Sequence, residues 1–374
     1  MSAVRGASGP SSAEPGSGLG SPDSASSTAG RVHSISSAAL KDLPDAEVGE
    51  LREFLAKAPL ATPFHSLEWN SVLSSEYGLN PSVSIARAEG RIIGCNFFYT
   101  FSEGPGLRTV WSPPRMYEAV YGGPVCLPGF ESSLGPLLEH QEKLSRGHTS
   151  YVVTPPGFDS RVLSESDYSV HGAKTVLLDL RGTENELWSK IGSTRRNDIR
   201  RAEKKGVEVD AGDLSQIEAY HEMLCDTLGR SGRGPLKPSF FSKLLGVMVP
   251  LGCATFLVAQ VKGQPVAGAI MLHFGSMTLY WSGASSEQGR GTAANVLVQW
   301  MGILDAGKRG SLTYDFLGID PRLPGVSAFK EGFGGGVVGY CSAVKRTPFG
   351  EVVRAAGGLR HPGRAIRRLL RNRK

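Results

Sequence analysis

The sequence predicts an α/β protein built from two similar units in tandem, each a mixed, mostly antiparallel sheet flanked by helices. Two observations carry this. Ile85-Ala86-x-x-x-Gly90-x-x-Ile93-Gly94 and Val258-Ala259-x-x-x-Gly263-x-x-Val266-Ala267 match at a constant offset, each reading as a strand, a tight Gly turn and a second strand. Both hairpins are preceded by helical segments and followed by another strand. The length of 374 residues, 40% of them apolar, is enough for two such cores.

In chain order, residues 1 to about 30 are Ser/Gly/Ala/Pro-rich and bury too little apolar surface to offset their ordering entropy, so 1–32 reads as a disordered tail. The first unit is placed at 45–182. It holds helices over Ala46–Ala56 and Ser66–Tyr77, the hairpin Ser82–Ala88 and Ile92–Phe101, and a short strand Thr109–Trp111. A Pro/Gly-rich stretch Ser112–Gly129, a helix over Ser133–Arg146 and a strand Tyr151–Thr154 complete it. After a strand at Thr175–Asp179, the second unit is placed at 183–346. Thr183 and Glu186 have the form of a capping box and open a helix that ends near Gly206. Helices follow from Asp213 to Leu228 and over Phe240–Val249, then the hairpin Ala254–Val261 and Pro265–Phe274, and a strand Met277–Gly283. A helix over Thr292–Ala306, a strand Leu312–Leu317 and a sheet-closing strand Val337–Arg346 end the unit.

Composition excludes several classes. No apolar run reaches membrane-spanning length, and the first residues lack the apolar core of a secretory signal. The five cysteines are dispersed without a C-x-x-C pair, so neither a disulfide framework nor a metal site is expected, and a cytoplasmic location fits. The net charge of +6 is uneven: from Lys345 to Lys374 there are ten Lys/Arg against Glu351 alone. Residues 347–374 therefore read as a basic tail. Within it Ile366, Leu369 and Leu370 share one helical face between arginines, which suits peripheral attachment to an anionic membrane surface.

The element order of the second unit is the layout of an acetyltransferase (GNAT) domain. Within it Gln288-Gly289-Arg290-Gly291-Thr292-Ala293 resembles that superfamily's Q/R-x-x-G-x-G/A loop. There, glycine lets the backbone approach a pyrophosphate and free N–H groups at a helix start meet it. These six residues are the donor-binding candidates. Tyr314-Asp315-Phe316-Leu317-Gly318-Ile319, followed by Phe329-Lys330-Glu331-Gly332-Phe333-Gly334-Gly335, resembles the FemAB family. So do Trp188-x-x-Ile191 with Arg195-Arg196-Asn197-Asp198-Ile199-Arg200-Arg201-Ala202, and Phe64-His65-Ser66-Leu67-Glu68-Trp69. The resemblance spans roughly residues 45 to 345.

Members of that family add amino acids to peptidoglycan precursors, with relatives in other cell-envelope systems, on two acetyltransferase-like domains. The resemblance implies a transferase that forms an amide on a nucleotide- or lipid-linked wall precursor or glycan, with no permanently bound cofactor. The donor is aminoacyl-tRNA or acyl-CoA: the Gln288–Ala293 loop favours CoA, and no helical arm of the kind that contacts tRNA lies between Val207 and Gly252.

Lys330, held by a Gly-rich turn, is the candidate for stabilising a tetrahedral intermediate, and Asp315, at a strand end beside the cleft, for orienting an amine or acting as base. Arg195, Arg115, Tyr121 and Phe329 are the acceptor-binding candidates. Arg195 lies on an apolar stripe with Leu187, Ile191 and Ile199 if one helix is unbroken there; otherwise the helix breaks at Gly192-Ser193. Asp320 before Pro321 reads as a turn residue, His273 as a satisfied strand histidine and Trp281 as core. A competing reading is a non-catalytic RNA- or membrane-binding protein acting through the basic helix and tail.

Overall fold

The structure, a computed structural model, describes residues 34–104, 107–115, 118–145, 148–230 and 232–355 together with Val32. The expected disordered tail at 1–32, apart from Val32, and residues 356–374 of the basic tail lie outside the described residues. The first half runs β1 (Ser34–Ala39), α1 (Asp45–Lys57), α2 (Leu67–Tyr77), β2 (Ser82–Ala88), β3 (Arg91–Gly104), β4 (Leu107–Ser112), β5 (Val125–Cys126), α3 (Leu134–Ser145), β6 (Thr149–Thr154) and α4 (Arg161–Glu165). The second runs β7 (Ser169–Asp179), α5 (Glu184–Lys190), α6 (Ser193–Lys204), β8 (Val207–Ala211), α7 (Ile217–Gly229), α8 (Pro238–Met248), β9 (Ala254–Val261), β10 (Gln264–Phe274) and β11 (Met277–Ser285). It ends with α9 (Glu287–Thr292), α10 (Ala294–Lys308), β12 (Thr313–Asp315), α11 (Pro324–Glu331), β13 (Gly336–Arg346) and α12 (Pro348–Ala355). Among the described residues, no helix is long and apolar enough to cross a membrane.

The two hairpins form as expected, and their turns show why glycine recurs. Glu89 and Gly90 have φ of 49° and 79°, and Lys262 and Gly263 have 51° and 75°. Two consecutive left-handed residues make the turn whose twist suits a two-residue hairpin, and glycine takes the second place without strain. The capping box opens α5, with Thr183 Oγ1 accepting from Glu186 N and Glu186 Oε2 accepting from Thr183 N.

The strands form one sheet in the order β1-β2-β3-β4-β6-β13-β7-β12-β11-β10-β9-β8, with β5 on β3. The strand expected to close the second sheet lies instead in the middle. β13 pairs antiparallel with β6 on one side, Ala343 opposite Val152, and with β7 on the other, Ala343 opposite Val170. Inserted there, it hydrogen-bonds on both edges, and the halves are joined by backbone as well as side chains. A shared core supports this: Phe64, Trp69 and Tyr99 pack with Tyr220, Phe240, Leu244 and Leu279. Trp69 meets Phe240 and Trp281 edge-on at 6.0 and 5.6 Å.

Among the described residues each half contains one parallel pair, β4 with β6 and β11 with β12, and each pair parts at its end. In the first half the gap is filled by the chain itself. Gly122 N donates to Val153 O at 2.6 Å, and a Cβ on Gly122 would stand 2.5 Å from Pro113 N. In the second half β11 pairs with β12 only from Met277 to Leu279, yet stays on β10 as far as Ser285. A bulge at Trp281 interrupts that register, since Ile270 faces Ser282 and Met271 faces Tyr280. After Asp315 the chain leaves β11 and follows β7, with Phe316 N on Val176 O and Ile319 N on Lys174 O. A wedge therefore lies between β11 and the 316–319 segment, with Leu317 packed in the same core cluster as Leu279 and Ala284.

Candidate active site

Asp315, the last residue of β12, is fully buried at the root of the wedge. It accepts from Thr175 Oγ1 at 2.5 Å, from Leu317 N at 2.7 Å and from Tyr121 OH at 2.9 Å. Burial pushes its carboxyl above the usual range, opposed by the bonds from Thr175, Leu317 and Tyr121 and by the charge of Lys330. The expected open contact between Asp315 and an amine is absent; its oxygens are committed to holding the loop.

Lys330 differs from expectation in two ways. It sits in the last turn of α11, not on a glycine-rich turn. It is also 9% exposed, with Nζ donating to Leu317 O at 2.9 Å and Gly318 O at 2.8 Å, so it is not the exposed charge of an open cationic pocket. Burial lowers its ammonium to about 8, with Asp315 opposing and Arg233 adding to the fall. Two of its three N–H donors are thus spent on the loop, and one is left. Leu317, between these groups, has φ of 58°, a costly conformation for a branched side chain. Its N–H to Asp315 and its carbonyl to Lys330 hold it there. The strained turn, Asp315 and Lys330 form one unit.

The acceptor candidates line up along this unit with different roles. Tyr121 is fully buried, and its only hydroxyl serves Asp315, so it bridges the halves and does not face an acceptor. Tyr340 packs edge-on against Tyr121 at 5.3 Å, and exposed Arg115 lies near enough for its charge to act on the Tyr340 phenol. On the other flank the helix breaks at Ile191-Gly192, where Gly192 N donates to Gly332 O. The continuous apolar stripe through Arg195 is therefore absent. Arg195 pairs with Asp198 at 2.8 Å and lies over the half-buried Phe329 ring at 5.1 Å.

Thr175, Tyr340, Arg233 and the backbone of Leu317 went unmarked in the sequence. Thr175 and Tyr340 lie on β7 and β13, whose neighbours are set by long-range pairing that leaves no local signal. Asp320 shapes the turn as expected, accepting from Arg322 N and its guanidinium. His273 is satisfied by Thr255 and Thr278 at 2.8 and 2.9 Å. Tyr280 and Trp281 pack into cores on opposite faces of the sheet.

The Gln288–Ala293 stretch is not an open loop. Glu287–Thr292 form α9, capped by Ser286 Oγ, which accepts from Gly289 N, and Ala293 turns the chain at φ of 62° into α10. Its N–H groups are partly used: Arg290 N bonds Ser286 O and Ala293 N bonds Arg290 O. Gly289 is required by packing, since a Cβ there would stand 2.0 Å from Val266 O, whereas Gly291 has nothing within 4 Å. Gly289→Ala should cost about 3 kcal/mol or more because backbone must move. Gly291→Ala should stay within about 1 kcal/mol of the unaltered protein, and urea denaturation separates the two. The stretch lies by the far end of β11 from Asp315, joined to α6 by Lys205 Nζ donating to Gly291 O at 2.9 Å.

Residues 193–331 match the model of the acetyltransferase (GNAT) domain. Among solved structures, FemX is similar with a TM-score of 0.65 at 14% identity, over 82% of this chain and 96% of that one. A tandem GNAT protein from the clavulanic acid biosynthesis pathway is similar at 0.52 and 12% identity, over 84% and 98%. L-PGS from Bacillus licheniformis is similar at 0.51 and 12% identity, over 82% and 93%. No curated protein matches in sequence. The chain thus has the tandem GNAT fold of these structures. The part that matches the acetyltransferase (GNAT) domain model lies in its second half.

Proposed function

We propose that this protein transfers an aminoacyl or acyl group to an amine of a cell-envelope precursor, at the wedge between β11 and the 316–319 segment. The observation that carries the reading is the Asp315–Leu317–Lys330 unit, two buried ionisable groups that both bond the strained turn where the parallel strands of the second half part. The acceptor amine attacks the carbonyl carbon of an activated ester or thioester. A C–N bond forms, the C–O or C–S bond to the carrier breaks, and the amine proton leaves with the carrier. Negative charge develops on the carbonyl oxygen. Lys330 stabilises it by its own field and by polarising the Leu317–Gly318 peptide, whose N–H becomes a stronger donor. Asp315 is a positioning residue that fixes that peptide. Arg233 acts on Lys330 and Asp320, Arg115 on Tyr340, and Arg195 lies over Phe329 beside Lys330; such arginines suit the phosphates of a nucleotide- or lipid-linked acceptor.

FemX and L-PGS share this fold, which favours an aminoacyl-tRNA donor and a wall or lipid precursor as acceptor, met on the cytoplasmic side of the membrane. The second reading is acyl-CoA-dependent N-acylation of an amino sugar or polysaccharide, motivated by Gln288–Ala293. Titration calorimetry with CoA decides between them. Saturable micromolar binding that Gly291→Glu abolishes without lowering the melting temperature selects CoA; the open space at Gly291 makes that substitution a clean probe. Absence of binding selects tRNA.

A further inference from the structure

Away from the wedge, an exposed nucleophile is provided with a base. Cys225 and His221 lie one turn apart on α7, with Cys225 Sγ 3.7 Å from His221 Nδ1. His221 Nε2 is 2.9 Å from the Leu236 carbonyl. A carbonyl can only accept, so Nε2 carries the proton and Nδ1 turns its lone pair to the thiol. Phe241 packs edge-on against the imidazole at 6.0 Å and steadies the ring. Nucleophile, base and a third group that orients the base are all present. The environment separates Cys225 from other cysteines: Cys95 is buried, and burial pushes the Cys126 thiol to about 11.

The thiol borders a shallow, open surface depression lined by Asp226, Gly229, Arg230, Glu287 and Arg290. Arg290 comes from the Gln288–Ala293 stretch. Its guanidinium is anchored by Ser285 O at 2.9 Å, and that of Arg230 by Asp226 O at 3.3 Å. Two guanidinium groups border the thiol while bonded to neutral carbonyls, alongside the carboxylates of Asp226 and Glu287 in the same lining; a donor carrying phosphate beside its acyl group would meet the guanidinium groups.

We propose that Cys225, with His221 as its base, takes an acyl group from an acyl-CoA thioester and holds it as an enzyme thioester. His221 Nδ1 accepts the thiol proton and Cys225 Sγ attacks the acyl carbon. The new S–C bond forms, the S–C bond to CoA breaks, and the proton passes from His221 to the departing thiolate. The donor class is shared with the second reading above, on which this proposal rests; CoA binding without an adduct on Cys225 overturns this proposal alone.

The full-length protein is incubated with acetyl-CoA and, separately, with acetyl-N-acetylcysteamine, and analysed by intact mass and peptide mapping. The expected result is one hydroxylamine-labile acetyl group on Cys225. It should be lost in Cys225→Ser and form about tenfold more slowly or worse in His221→Gln, with unchanged circular dichroism in both variants. Faster reaction of the CoA thioester than of the small one, reversed by Arg290→Ala, assigns the depression to the phosphate-bearing donor. An unacylated Cys225, equal acylation of Cys253 and Cys341, or an unchanged rate in His221→Gln overturns the proposal.

Discussion

Lys330→Ala is expected to lower transfer by about a hundredfold or more, the scale seen when a preorganised donor to a developing oxyanion is removed. The fold should survive. The substitution removes two hydrogen bonds to carbonyls but also a charge that is 9% exposed, and the two effects partly cancel. Lys330→Met, which keeps the volume of the stem, should melt within about 2 kcal/mol of the unaltered protein and be equally inactive. The pH dependence carries an independent sign. The ammonium titrates at about 8, so the charged form exists below that value and is lost above it. The lysine-dependent part of the rate should fall as pH rises through about 8. Lys330→Arg, which stays charged throughout, should lack that descending limb. A rate that keeps rising through this range in the unaltered enzyme assigns Lys330 no electrostatic role.

Asp315→Ala should be the most destabilising single change at the site. It leaves the hydroxyls of Thr175 and Tyr121 and the N–H of Leu317 without their acceptor in a fully buried place. Removing one partner from such a cluster costs about 3–5 kcal/mol. The loss has a structural signature, because Tyr121 belongs to the first half and Asp315 to the second. Without the carboxylate the turn at Leu317 is no longer held at positive φ, and the contact between halves weakens. Urea denaturation should show the midpoint shift, and hydrogen exchange should show faster opening of 316–319 than of the β9–β10 hairpin. Asp315→Asn keeps the volume and one acceptor oxygen and should cost less than Asp315→Ala. Equal stability of all three proteins contradicts this role.

Much of the fold was legible because the features that betray it are local. Gly90 and Gly263 mark turns that need positive φ, Thr183 and Glu186 satisfy each other three residues apart, and alternation marks the hairpins. The place of Val337–Arg346 was not legible, because its partners lie on β6 and β7, far away in sequence. The candidate site was half legible. Lys330 and Asp315 were marked from the motif that holds them, and the structure brings both to the 316–319 loop. Their burial was not readable, since it depends on Tyr121 from the other half and Thr175 from a neighbouring strand. The glycines of Gln288–Ala293 looked like a phosphate cradle, and one of them proved to be a contact with the Val266 carbonyl. A Gly that admits a ligand and a Gly that admits a neighbouring strand read the same. Cys225 and His221 are four residues apart and matter only once α7 puts them on one face.

The most direct test of acyl transfer to an envelope amine is mass spectrometry of nucleotide-linked precursors, lipid-linked precursors and glycans from matched cells. The cells contain the unaltered protein, no protein, or Lys330→Met. An amine-linked aminoacyl or acyl group present only with the unaltered protein is the predicted result. Identical spectra from all three would contradict it.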